Sequence, residues 1–205
     1  MKVNKIIKLL KKEYPDPKCM LFYNAPHELL IAARLSAQCT DKRVNTVTPA
    51  LFAEYTDIKA FANADVSDIE RIVKSCGLYK TKAADIVNMC KILQEKHNCI
   101  VPDNMPELLE LPGVGRKTAN LILGELYNKP AIVTDTHVIR LSNRLGLINP
   151  KSTNPLIVER VLVKSIPAEE SLMFCHRLVL HGRSTCKARN PDCEKCILKN
   201  TCNYQ

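Results

Sequence analysis

A chain of 205 residues can bury one large core or two small ones, and a hydrophobic fraction of 46% is ordinary for a globular protein. Lys plus Arg number 30 against 21 Asp plus Glu, a net charge of +9 that favours a polyanionic partner, most commonly nucleic acid. No apolar run approaches the roughly 20 residues that a membrane span requires.

Helical periodicity dominates and strand alternation is nearly absent, so the fold class is all-α. Val3, Ile6, Ile7 and Leu10 make the apolar face of a first helix. A second, "PHELLIAARLSAQ", opens at Pro26, a favoured first-turn residue. Ser67 and Glu70 form a capping-box pattern for a helix through Ile69, Ile72, Val73 and Cys76, with Gly77 as its stop. Ala83, Ile86, Val87, Cys90 and Leu93 carry the next one. The short "MPELLEL" leads into "LPGVG", and "RKTANLILGELY" leaves it. Beyond Pro130 a loop ends at Thr134-Asp135. "THVIRLSNRLGL" follows, stopped at Gly146, then "NPLIVERVLVKSI" and "AEESLMFCHRLVLHG".

The N-terminal "MKVNKIIKLLKKEYPD" interrupts its apolar stretch with charge, unlike a secretory signal, and a cytoplasmic protein is expected. Ten cysteines in a small secreted chain would imply a disulfide scaffold. Here six are scattered, several at apolar helical positions. Cys186, Cys193, Cys196 and Cys202 crowd the C-terminal end as C-x6-C-x2-C-x5-C. That distribution reads as a reducing compartment with one metal centre. The outer spacings fit neither ordinary zinc ribbons nor the ferredoxin pattern, and on spacing alone zinc and an iron–sulfur cluster are both open.

In "LPGVGRKTAN", successive amides at Gly113, Val114 and Gly115 meet the N-terminus of the next helix. Together they form an anion site to which Arg116 adds charge. An exposed Val114 between glycines suits a docking surface; a tight helix corner with positive φ is the plainer alternative. Lys117 is open to three readings: phosphate clamp, solvated first-turn lysine, or nucleophile. A helix N-terminus disfavours the ammonium, which gives an amine there a reason to be reactive. Asp135, just before a helix, reads by itself as an N-cap.

"LPGVGRKTAN", "VTDTHVIRLSNRLG" and "HGRSTCKARNPDCEKCILKNTC", in this order, are similar to the endonuclease III family, the iron–sulfur branch of the helix-hairpin-helix DNA glycosylases. "LIAARLSAQCTDKRVN" and "GLYKTKAADI" extend the likeness over essentially the whole chain. The resemblance implies a helical barrel domain over 19–129, with the hairpin near 104–127. A second domain, 1–18 plus 130–205, carries a [4Fe–4S] cluster, with a DNA-binding cleft between the two.

The implied activity is that of a bifunctional DNA glycosylase and AP lyase of base excision repair. A monomer acting on double-stranded DNA would remove oxidised pyrimidines and cut 3′ to the abasic site. Lys117 falls on the family's nucleophile, Asp135 on its catalytic carboxylate, facing Lys117 from the other domain, and the four clustered cysteines on the cluster ligands. Gln38 and Leu78 fall on residues that wedge into the duplex when the target nucleotide is flipped out. Ser36 and Asp41 are candidates for the base pocket. His137, Arg140, Lys187 and Arg189 join the hairpin as candidate DNA contacts. Two other classes are a monofunctional adenine or mismatch glycosylase and a non-catalytic DNA-binding iron–sulfur protein. The monofunctional enzymes lack a lysine at the position of Lys117, and the adenine enzymes carry a Glu in the helix matching "LLIAARLSAQ", where this chain has no acid.

Overall fold

The computed structural model describes residues 2–204, and every regular element among them is helical. In chain order the α-helices are α1 (Lys2–Glu13), α2 (Pro26–Leu35), α3 (Asp41–Glu54), α4 (Ile58–Ala62), α5 (Val66–Val73) and α6 (Tyr79–Lys96). They continue with α7 (Met105–Glu110), α8 (Arg116–Tyr127), α9 (Thr136–Arg144), α10 (Pro155–Ser165) and α11 (Ser171–Ser184). Short 3-10 turns lie at Lys74–Cys76, Ala168–Glu170 and Lys199–Thr201. Among the described residues no helix is long and apolar enough to cross a membrane. The chain divides into two compact units, Met20–Tyr127 and Met1–Cys19 with Asn128–Gln205.

The first unit holds α2 to α8. α2 is apolar nearly all round, and Leu29, Leu30, Ile31, Ala32 and Leu35 are fully enclosed, as expected of a helix in the middle of a core. α6 buries Ala83, Ile86, Val87, Cys90 and Leu93, the stripe legible in the sequence, and packs on α4 and α5. Two helices here are absent from the sequence reading. α3 contains β-branched residues, Asn45 and an internal Pro49, which are poor helix formers, and only Val44, Thr48 and Leu51 mark its buried side. α4 has five residues, too few to show a period, and is started by the Asp57 carboxylate accepting from Ala60 N at 2.8 Å.

The start of α5 corrects the expected capping box. Asp65 is the N-cap, accepting from Ser67 N at 2.8 Å, so Ser67 lies inside the helix. The helix itself stops at Val73. The turn at Lys74–Cys76 carries the chain to Gly77, which has φ +70°.

In the second unit α1 buries Ile6, Ile7 and Leu10 and packs against α11, which also packs against α9. α11 begins at Ser171, three residues later than the expected helix, because Ala168–Glu170 winds as a 3-10 turn. Glu170 then ties α1 to α11 by ion pairs with Lys11 and with Arg177, the latter at 3.4 Å. α9 and α11 lie close together at Gly182. A Cβ there would lie 2.6 Å from His137 Nδ1 and 2.9 Å from Arg140 Nη2.

Candidate active site

The glycine corner joins α7 to α8 within the first unit. Asn104 starts α7 by accepting from Glu107 N at 3.1 Å, and the chain turns back at Leu111 to Gly115. Gly113 has φ +74°, and a Cβ on it would meet Arg34 Nε at 2.2 Å and Asp85 Oδ2 at 2.7 Å. Those two side chains pin each other, with Arg34 Nε donating to Asp85 Oδ2 at 2.7 Å. Gly113 is therefore required twice over, by conformation and by space. Gly115 differs: a Cβ there meets nothing within 4 Å, and its φ is not positive.

Val114 is buried, at 6% exposure, and its amide donates to Leu111 O at 3.1 Å. Both facts correct the expectation of an exposed valine offered for docking: its side chain is core, and its N–H closes the turn. Arg116 and Lys117 stand exposed in the first turn of α8, on the rigid base that Val114, Ala119 and Ile122 provide.

Two other loops of this unit carry sequence-predicted residues. Gln38 follows the end of α2, is exposed and has φ +54°. Leu78 follows Gly77, is 56% exposed and has φ +48° and ψ +31°. A leucine held in the left-handed region with its side chain in solvent is unfavourable on both counts. Ser36 caps α2 and donates its hydroxyl to Ala33 O at 2.8 Å, and Asp41 is the first residue of α3 after the N-cap Thr40.

In the second unit Asp135 is half-buried and is the N-cap of α9, accepting from Val138 N at 2.7 Å. Arg140 points inward. Its Nη2 donates to Gly182 O at 3.1 Å and Cys186 O at 3.0 Å, and lies 3.1 Å from His137 Nδ1. Arg140, expected as a DNA contact, uses its Nη2 to hold the end of α11 and the start of the cysteine loop. Lys187 and Arg189 are exposed on that loop.

Cys186, Cys193, Cys196 and Cys202 line one cavity of about 380 Å³, with Arg144 and Tyr204 on its wall. Three nitrogens lie close to sulfur, two of them as N–H donors from Arg144 and Tyr204. Arg144 Nη1 lies 3.3 Å from Cys186 Sγ, His181 Nε2 lies 3.3 Å from Cys196 Sγ, and Tyr204 N lies 3.4 Å from Cys202 Sγ. Arg144 also donates to Lys187 O at 2.7 Å and Ala188 O at 3.0 Å and stacks 4.2 Å from the centre of the Tyr204 ring. Burial lowers His181 to about 4, so its ring is neutral, and its Nδ1 meets the Tyr14 hydroxyl at 3.1 Å. Among the described residues no group of three or more His, Cys, Asp or Glu could hold a single metal ion. The scattered cysteines are of another kind. Burial pushes the Cys76 thiol up to about 11 and those of Cys90 and Cys175 to about 12, so they remain protonated core residues.

Residues 31–168 match the model of the HhH-GPD superfamily base excision DNA repair proteins. The endonuclease III of Synechocystis is 46% identical over 98% of this chain and 91% of its own length. Two solved structures superpose with a TM-score of 0.93 at 41% identity, each over 99% of this chain and at least 95% of the other. One is a trapped endonuclease III–DNA covalent intermediate, the other a non-covalent endonuclease III–DNA complex. This chain belongs to the endonuclease III family.

For an endonuclease III family member, two contributions escape the linear pattern. Arg144 and His181 address the cysteine sulfurs from α9 and α11, yet in sequence they are an arginine before a helix stop and a histidine before a glycine. The quoted motifs contain both, but no spacing rule marks either as a partner of a thiol.

Proposed function

We propose that this chain, a DNA glycosylase with AP lyase activity in base excision repair, uses Lys117 as its nucleophile and Asp135 as its catalytic carboxylate, and that its substrates are oxidised pyrimidines in double-stranded DNA. The observation that carries this reading is an exposed lysine at the head of α8, on a corner fixed by Gly113 and Val114, in a chain whose relative has been trapped covalently on DNA.

The chemistry follows from these two groups. Cleavage of the N-glycosidic bond develops positive charge at C1′, which a carboxylate stabilises, and the same carboxylate accepts the lysine proton. The Lys117 amine bonds to C1′ as the base departs, and the sugar ring opens to a Schiff base. The Schiff base acidifies the C2′ proton, whose loss expels the 3′ phosphate by breaking the C3′–O bond. Asp135 already accepts an amide at the start of α9, and the carboxylate's other lone pairs serve the reaction. Target flipping opens a gap in the stack, and Gln38 and Leu78, exposed on loops and held at positive φ, are suited to fill it.

We assign the four clustered cysteines to a [4Fe–4S] cluster. The donor set fits: all four cysteines line one cavity larger than a lone zinc with four sulfurs about 2.3 Å away would need, and nitrogens of Arg144, His181 and Tyr204 approach three of the sulfurs. Bound there, the group would hold the 186–202 loop rigid, so that Lys187 and Arg189 meet phosphate from a fixed base. A thiolate at Cys196 would select the Nε2–H tautomer of His181, leaving Nδ1 to accept from Tyr14.

Borohydride reduction in the presence of an abasic duplex tests the reading. The native chain is expected to form a covalent adduct. Lys117→Ala is expected to lose both adduct and strand cleavage while still binding the duplex. Persistence of the adduct in that variant would reassign the nucleophile, and its absence from active native protein would make the enzyme monofunctional.

A further inference from the structure

Lys82 of α6 is fully buried in the first unit, at 0% exposure. Its Nζ donates to two backbone carbonyls, Leu35 O at 2.8 Å and Cys76 O at 2.8 Å. Leu35 is the last residue of α2, where helix carbonyls lack intrahelical partners, and Gln38 stands three positions beyond it. Cys76 ends the 3-10 turn, and Leu78 stands two positions beyond it. One side chain therefore joins the roots of two loops that lie far apart in sequence.

Burying an amine in a core is costly, and a core that needed only volume would use Leu or Met. Burial also lowers the affinity of Lys82 for its proton. What a lysine supplies, and an apolar residue cannot, is a tetrahedral donor that fixes two carbonyls at a set separation. Both loops need such fixing. Gln38 and Leu78 are non-glycine residues at positive φ, a conformation that persists only where the surroundings impose it.

We propose that Lys82 is the positioning residue for duplex invasion, setting the spacing of the Gln38 and Leu78 loops so that both enter the helix stack together. The assignment rests on the wedge reading of Gln38 and Leu78 above. It is neither a catalytic role nor a DNA contact, since Lys82 has no exposed surface.

The test compares cleavage of an abasic site in a duplex with cleavage of the same strand alone, under single-turnover conditions. A single strand has no partner to unstack and no gap to fill, so it bypasses the wedge. The ratio of the two rates is independent of how much of a variant is folded. Lys82→Met, which keeps the volume and removes the donor, is expected to lower the ratio about 10-fold or more, the scale of a small misplacement of positioning groups. Lys82→Gln, which keeps a donor on a shorter stem, is expected to fall between it and the native chain.

Gln38→Ala and Leu78→Ala are run alongside and should lower the ratio themselves. Should they leave it at the native value, the wedge reading fails, and Lys82 with it. Should they lower it while both Lys82 variants keep the native ratio, the wedge reading stands and the positioning role is overturned. Failure of both Lys82 variants to fold would also overturn it, reducing Lys82 to a residue of core stability alone.

Discussion

The glycine corner at 111–117 and the cysteine loop at 186–204 are both candidate DNA-contacting segments, yet they are held in opposite ways. Beneath the corner lie Val114, Ala119 and Ile122, all buried, and the Arg34–Asp85 pair against which Gly113 fits. The cysteine loop buries only Leu198 among its described residues. Its backbone is gripped instead by Arg144 and Arg140 through the carbonyls of Lys187, Ala188 and Cys186. A segment with core beneath it can carry an exposed reactive group on its own packing. One without core needs cross-links, and four thiols around one cavity are how this chain would provide them.

If that contrast is right, its largest consequence is asymmetric dependence on the cluster. Cys196→Ser is expected to lower iron content and expose the segment after Thr185 to protease while α2 to α8 keep their helicity. Structural metal centres contribute on the order of 10 kcal/mol to the segments they organise. Limited proteolysis with circular dichroism checks it. Collapse of both units together would show that the first is not self-supporting.

Arg144→Gln comes next. It removes the donor to Cys186 Sγ and the grip on two carbonyls, and should speed iron loss to a chelator about 10- to 100-fold, the range for groups that support metal ligands. An unchanged release rate would mean the thiols alone organise the loop.

These contrasts also explain what the sequence could disclose. The stripes of α1, α2 and α6 were readable because burial repeats at the helical period. α3 was hidden by Pro49 and by β-branched residues whose poor propensity is overruled by packing. Lys117, Asp135 and the four cysteines stood out because chemistry needs those residue types and the family's motifs surround them. Lys82 did not, because a lysine in a helix normally points to water, and only the fold brings Leu35 O and Cys76 O to its amine. In sequence the glycine pair admits either a corner or a docking surface; the structure makes Gly113 the corner residue and leaves open space where a Cβ on Gly115 would lie.

That division gives the third prediction. Gly113→Ala combines φ +74° with a Cβ 2.2 Å from Arg34 Nε, and should cost about 1–3 kcal/mol in thermal or denaturant unfolding. Gly115→Ala, with open space around its Cβ, should alter stability by less than about 0.5 kcal/mol yet weaken duplex binding. Equal destabilisation by the two would return both glycines to the role of corner residues.

The smallest effect is expected at the tip of the cysteine loop. Lys187 and Arg189 are exposed and lack the core that supports Lys117, so truncating either should leave folding and abasic-site chemistry alone. If each neutralises one phosphate, Lys187→Ala and Arg189→Ala should each reduce the slope of log affinity against log salt by about 1. The loss should be uniform across duplex sequences, because a phosphate contact reads no base. Titrating duplex binding over a range of salt concentrations separates this from a structural effect. A variant that loosened the loop would weaken binding at every salt concentration, in parallel with the native line, whereas loss of a phosphate contact brings the lines together as salt rises.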